Sequence, residues 1–170
     1  MNQHYLKIIM VLITLVIGMA GTHTAYAMSD KVIKQRIENE TEGTLRLRET
    51  RVVVDVMNGF VVLRGTVRLY IQKMLYEQIA WKTMGVVEVD NEIQVIPAIQ
   101  TSDDVIKRHI MELLYANDRF SDVNTAVEVE TGTVSIHATF SDPQDVQDLK
   151  HKIAEIQGVV EIKIQAEFVV

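Results

Sequence analysis

The chain contains no cysteine, only two prolines and a single tryptophan in 170 residues. Without cysteine there can be no disulfide, no thiol nucleophile, no thiolate metal ligand and no acceptor for a lipoprotein anchor. No Gly-x-Ser-x-Gly, phosphate loop or dinucleotide fingerprint occurs, so the common routes to covalent or cofactor catalysis lack their first requirement. Beyond residue 27 only His109, His137 and His151 remain. They lack the i, i+4 spacing that would place two on one metal, and they read as surface side chains. No catalytic residue, metal, cofactor or small-molecule substrate is therefore expected, and stability must come from packing alone.

Basic charge is also scarce in one half. Asp30 to Pro97 holds ten Lys/Arg against ten Asp/Glu, whereas Ala98 to Val170 holds six against thirteen, a balance of −7. Phosphate neutralisation needs a basic surface, so nucleic acid is excluded as a ligand. An anionic partner would prefer the first half. Acid pairs in the second half, such as Asp103-Asp104 or Glu128 and Glu130, suit a hydrolase in principle. Their settings read instead as a helix cap and a solvated strand face.

What the chain does have begins with residues 1–27: a charge at Lys7, an apolar run from Ile8 to Ala20, and a close at Ala25-Tyr26-Ala27. The run is short for a bilayer span, and Ala-x-Ala suits a secretory cleavage site. Cleavage after Ala27, with an exported mature chain starting at Met28, is the expectation; an uncleaved signal anchor is the competing one.

The remaining sequence repeats itself. A slide of 73 positions lays Val32-Ile33-Lys34 on Val105-Ile106-Lys107, Val54 and Val56 on Val127 and Val129, Gly59 on Gly132, and Gly85-Val86-Val87-Glu88 on Gly158-Val159-Val160-Glu161. Two copies of this length indicate paired small domains, not a coiled coil or a solenoid. The boundaries are 28–97 and 98–170, joined by a short linker from Ile96 to Thr101.

Each copy reads helix, strand, strand, helix, strand. Val32, Ile33, Ile37 and Glu40, and later Val105, Ile106, Ile110 and Leu113/Leu114, follow helical spacing. Alternating Val52, Val54 and Val56 lead to Asn58-Gly59, and Val127 and Val129 lead to Thr131-Gly132, as a two-residue hairpin turn requires. Val61, Leu63 and Val67, and Val134, Ile136, Ala138 and Phe140, return. Asp142-Pro143 opens the next helix, whose inward face is Val146, Leu149, Ile153 and Ile156. Gly85 and Gly158 close the helices, and a last strand alternates through Val87, Val89, Ile93 and Val95, or Ile162, Ile164, Ala166 and Phe168. The fold class is α+β: two tandem α-β-β-α-β domains, each with two helices packed on one face of a small three-stranded sheet.

Asn58-Gly59, then Val61, Leu63, Gly65 and Val67, then Gly85-Val86, then Val89, Asn91, Ile93 and Val95 resemble the BON domain. Two tandem copies behind an export signal are similar to the osmotically inducible, nodulation-type periplasmic proteins of Gram-negative bacteria. The second copy departs from the pattern with Thr131, Ala138 and Ile164 in place of Asn58, Gly65 and Asn91. The resemblance implies a non-enzymatic periplasmic module in cell-envelope maintenance or osmotic stress. It implies contact with phospholipid at the outer-membrane periphery or, alternatively, a chaperone or adaptor for client proteins, and no cofactor.

One helix carries more apolar surface than its domain needs. From Tyr70 to Met84 an expected core face of Tyr76, Ala80 and Thr83 is joined by a second stripe, Ile71, Leu75 and Ile79, and a third, Tyr70, Met74 and Trp81. An amphipathic helix needs only one. The second copy has Gln144, Asp148 and Lys152 in place of the second stripe. The excess surface docks on the other domain, on another copy of the chain, in a client groove or on lipid. With Arg64 and Arg68 just before the helix, and Arg46, Arg48 and Arg51 upstream, Arg64, Arg68, Tyr70, Met74 and Trp81 form the candidate lipid- or partner-binding set.

Overall fold

A computed structural model describes residues 28–121 and 125–168. The expected leader, residues 1–27, lies outside them. The first unit comprises α1 (Asp30–Gly43), a 3-10 turn (Leu45–Leu47), β1 (Arg51–Met57), β2 (Phe60–Val67), α2 (Tyr70–Lys82) and β3 (Glu88–Val95). The second comprises α3 (Asp103–Tyr115), the short α4 (Asp118–Ser121), β4 (Thr125–Glu130), β5 (Thr133–Phe140), α5 (Pro143–Ala154) and β6 (Glu161–Phe168). Both ends of β2 and β3, and the first residues of α1 and α2, recur 73 positions later. The architecture is α+β, with the same unit used twice.

Each sheet has three strands with the second in the centre, β1-β2-β3 and β4-β5-β6. The tight turn makes the first pair antiparallel, and the helical crossover brings the third strand in parallel. Alternation decides which face is dry. Val54, Val61, Leu63 and Ile93 are buried beneath Ile33, Ile37 and Ala80 in the first unit, and Val127, Val134, Ile136 and Ile162 beneath Ile106, Ile110 and Ile153 in the second. The opposite face of each sheet is uncovered by its helices.

Several expected core positions fall outside it. The buried face of α1 is the i, i+4 row Ile33, Ile37 and Thr41, so Val32 is 39% exposed and Glu40 faces solvent. Thr41 satisfies its hydroxyl on the Glu38 carbonyl at 2.9 Å. Val87, just before β3, and Phe168, at the last position of β6, stand at strand ends and are 62% and 49% exposed. Conversely, Leu47 and Phe120, on the connections between first helix and first strand, are buried at 4% and 1%. Each plugs one end of its core.

The glycines shared by the copies are required twice over. Gly59 and Gly132 have φ of +80° and +76°, completing turns whose first residues, Asn58 and Thr131, are also left-handed. A Cβ on Gly59 would stand 2.8 Å from the Gly85 carbonyl oxygen, and one on Gly132 2.6 Å from that of Gly158. The hairpin turn and the helix end thus touch backbone to backbone. Gly85 and Gly158, at φ +95° and +96°, lie under Ile33 and Ile106.

A carboxylate at the start of each first helix fastens the same turn. Asp30 accepts hydrogen bonds from the backbone N–H groups of Asn58 (2.8 Å) and Gly59 (3.0 Å). Asp103 accepts from Thr131 (2.9 Å) and Gly132 (2.8 Å). Asp103 was expected as a cap, but it reaches across to the hairpin. Ser102 precedes the helix without a side-chain cap bond. Asp142 does cap α5, accepting from the Gln144 N–H at 2.8 Å with Pro143 at the first position.

The second copy's departures have local reasons. Asn91 is half-buried and donates to the Lys73 carbonyl and to Glu77, pinning β3 to α2. Ile164 replaces that bond with apolar packing on the second core. Gly65 pairs with Val52, and a Cβ there would meet the Arg51 carbonyl oxygen at 2.0 Å. Ala138 pairs with Thr125, where β4 begins, and is itself buried in the core.

Candidate interaction surfaces

The excess apolar surface of α2 is mostly spent on joining the units. Ile71, 3% exposed, belongs to the second unit's core, and Leu69, Tyr70, Met74 and Leu75 pack against it. Burial pushes the Tyr70 phenol above its ordinary value; Glu77 and Glu161 act in the same direction, and a backbone hydrogen bond with Ile162 opposes them. At the seam's edge Arg46 donates to Glu155 at 2.6 Å. The Gln72 side chain holds this corner in place. Its oxygen accepts from the Arg68 and Leu69 N–H groups, and its amide donates to the Arg46 carbonyl at 2.8 Å. A polar residue at Gln144, the position equivalent to Ile71, leaves α5 without such a surface.

The five candidate residues are not brought together. Arg64 lies on the uncovered sheet face, opposite the helices, because alternation in β2 turns Leu63 inward and Arg64 outward. It donates to Glu92 at 2.6 Å and to Asp55 at 3.3 Å. The hydrogen bond to Glu92 holds its guanidinium above the ordinary value. Arg68 is exposed, 3.9 Å from Glu49. Tyr70 and Met74 stand at the seam. Trp81, about two helical turns beyond Met74, is 51% exposed.

Trp81 shares its surface with a different set of polar side chains. An open groove of about 230 Å³ between α2 and α5 is lined by Met74, Glu77, Trp81, Gln147, Lys150 and His151. Lys82, the last residue of α2, and Met84, 71% exposed, lie on the other flank of the helix. They line a larger cleft of about 760 Å³ between α1 and α2, together with Arg36, Leu75 and Ile79 among others. Lys150 and His151 come from the second unit, so only the docking of the two units places them beside Trp81. The sequence signal for Trp81 was its helical position; Lys150 and His151 carried none.

His109, His137 and His151 lie on α3, β5 and α5, and among the described residues no group of three His, Asp or Glu could hold a metal ion. Glu128 and Glu130 project from the exposed face of β4. Among the described residues no helix is long and apolar enough to cross a membrane.

These features define a class: a small α+β unit, duplicated and docked, whose recurring residues shape backbone and core. Residues 29–97 match the BON domain family, so a BON domain forms the first unit. A BON domain points to a non-catalytic module associated with the cell envelope. No curated protein matches the chain. Among solved structures, the chain is similar to the C-terminal domain of CdsD, the structural protein of the type III secretion system of Chlamydia trachomatis. Identity is 13%, with a TM-score of 0.27, covering 80% of this chain and 96% of that one. A second CdsD structure matches at 13% and 0.27, covering 79% and 91%.

Proposed function

We propose that the chain is an exported, periplasmic, non-enzymatic module that touches anionic phospholipid at the outer-membrane periphery through the edge shared by α2 and α5. In this reading the signal is cleaved after Ala27, and the second unit is a diverged second BON domain. The observation that carries the lipid contact is Trp81, half-exposed at the lip of a groove with Lys150 and His151, while Lys82 and Met84 line the adjoining flank at the same end of α2. Amphipathic rings with flanking cations suit the headgroup region, and each Lys near an anionic surface contributes about 1 kcal/mol. Arg64 is not needed: its charge is already answered by Glu92 and Asp55.

The chain's only tryptophan is Trp81, so its fluorescence reports the contact. It should shift to the blue when vesicles containing phosphatidylglycerol are added. In flotation, reversing Lys82 and Lys150 to Glu should weaken binding more than tenfold, from the roughly 1 kcal/mol each cation contributes. Reversing Arg64 and Arg68 should leave it largely intact. An unshifted Trp81 spectrum over a wide lipid range removes this reading.

A further inference from the structure

The two units provide an internal control for what the fold itself requires. On the uncovered sheet face of the first unit, Met57 pairs with Phe60, Val62 follows Phe60 along β2 opposite Asp55, and Val53, opposite Arg64, is its diagonal neighbour on β1. Met57, Val53 and Phe60 are 71%, 57% and 46% exposed. The equivalent residues of the second unit are Glu130, Ala126, Thr133 and Ser135. The same backbone therefore forms without this apolar patch, and packing does not account for it.

The acids around the patch differ in the same way. Glu88 is the cross-strand neighbour of Phe60, and Asp90 that of Val62. Neither makes a salt bridge among the described residues, though Asp90 adds to the field that Arg64 feels, while Asp55 and Glu92 are engaged directly by Arg64 and Lys34. In the second unit Asp90 is replaced by Lys163, which pairs with Glu161 at 3.5 Å. Only the first unit thus sets open carboxylates beside exposed apolar side chains.

The geometry points to this face as a docking site for a cationic amphipathic segment of another polypeptide, its apolar side chains on Met57, Phe60 and Val62 and its basic ones against Glu88 and Asp90. Charge complementarity selects that occupant. An anionic membrane would be repelled by the same carboxylates, and a second copy would set acid against acid. The site lies on the opposite side of the sheet from Trp81, so it stands or falls independently of the lipid contact.

The test is calorimetric titration of the full chain with a synthetic amphipathic Leu/Lys peptide, with the matching Leu/Glu peptide as control. Two variants borrow second-unit residues, which the scaffold tolerates: Val53→Ala/Phe60→Thr/Val62→Ser, and Asp90→Lys. The expected result is binding of Leu/Lys only, weakened about tenfold by either variant, as losing one favourable contact of about 1.4 kcal/mol would do, and unchanged by Lys82→Glu/Lys150→Glu. Circular dichroism confirms that both variants fold; Asp90→Lys alters one exposed charge and keeps the test valid if the triple variant does not. Wild-type affinity in Asp90→Lys, equal binding of the Leu/Glu peptide, or self-association through this face with no peptide bound would each overturn the proposal.

Discussion

Replacing Ile71 by Ala probes the joint on which the α2–α5 edge depends. Ile71 is 3% exposed, and its neighbours belong to the second unit's core although it sits on a helix of the first. The change deletes three carbons at about 0.8 kcal/mol each, or roughly 2.4 kcal/mol in transfer free energy. A cavity term raises the expected loss to about 3 kcal/mol. The loss falls on the coupling between units, because the fold accepts Gln144 at the same position. Urea denaturation followed by Trp81 fluorescence and by far-ultraviolet circular dichroism should give coincident transitions for the wild type. In Ile71→Ala the curves should separate, because the two units then unfold with less dependence on each other. A loss below about 0.5 kcal/mol, the scale of a surface substitution, with transitions still coincident, would refute the idea that Ile71 joins the units.

Other consequences follow from particular side chains. Thr131 is a β-branched residue at φ +48°, so Thr131→Asn should stabilise the chain by about 1 kcal/mol in a thermal melt. Asp103→Ala removes the acceptor of the exposed Thr131 and part-buried Gly132 N–H groups and should cost about 1 kcal/mol, visible as faster amide exchange at the turn. The Tyr70 phenol is held above its ordinary value of 10.0, chiefly by burial. A raised folded value favours the protonated form, so its contribution is intact below pH 10.0 and is lost as pH rises beyond it. Tyr70→Phe should flatten that alkaline loss of stability; an unchanged alkaline limb would place Tyr70 outside the seam.

Much of the fold was legible because the chain contains its own alignment. Glycines at 59, 85, 132 and 158 and the alternating valines mark turns and strand faces without reference to distant contacts. The same slide lays Leu47 on Phe120, a signal that would have revealed two core plugs hidden in polar stretches. Ile71 against Gln144 likewise announced an extra surface on α2, though not that the second unit covers it. Arg64 was misplaced because closeness in sequence to α2 says nothing about which sheet face a strand residue takes. Its pairing with Glu92 depends on the parallel register of β2 and β3, set by the crossover. Lys150 and His151 were beyond reach for the same reason: they meet Trp81 only through docking of the two units.

Hydrogen–deuterium exchange of the full chain, with and without phosphatidylglycerol vesicles, measures most directly whether a docked pair of units acts by contact along one edge. New protection should appear over Met74 to Met84 and over Gln147 to His151, while the uncovered sheet face around Phe60 stays unchanged. Protection centred on the Arg64 face, or no change on either helix, would contradict the account.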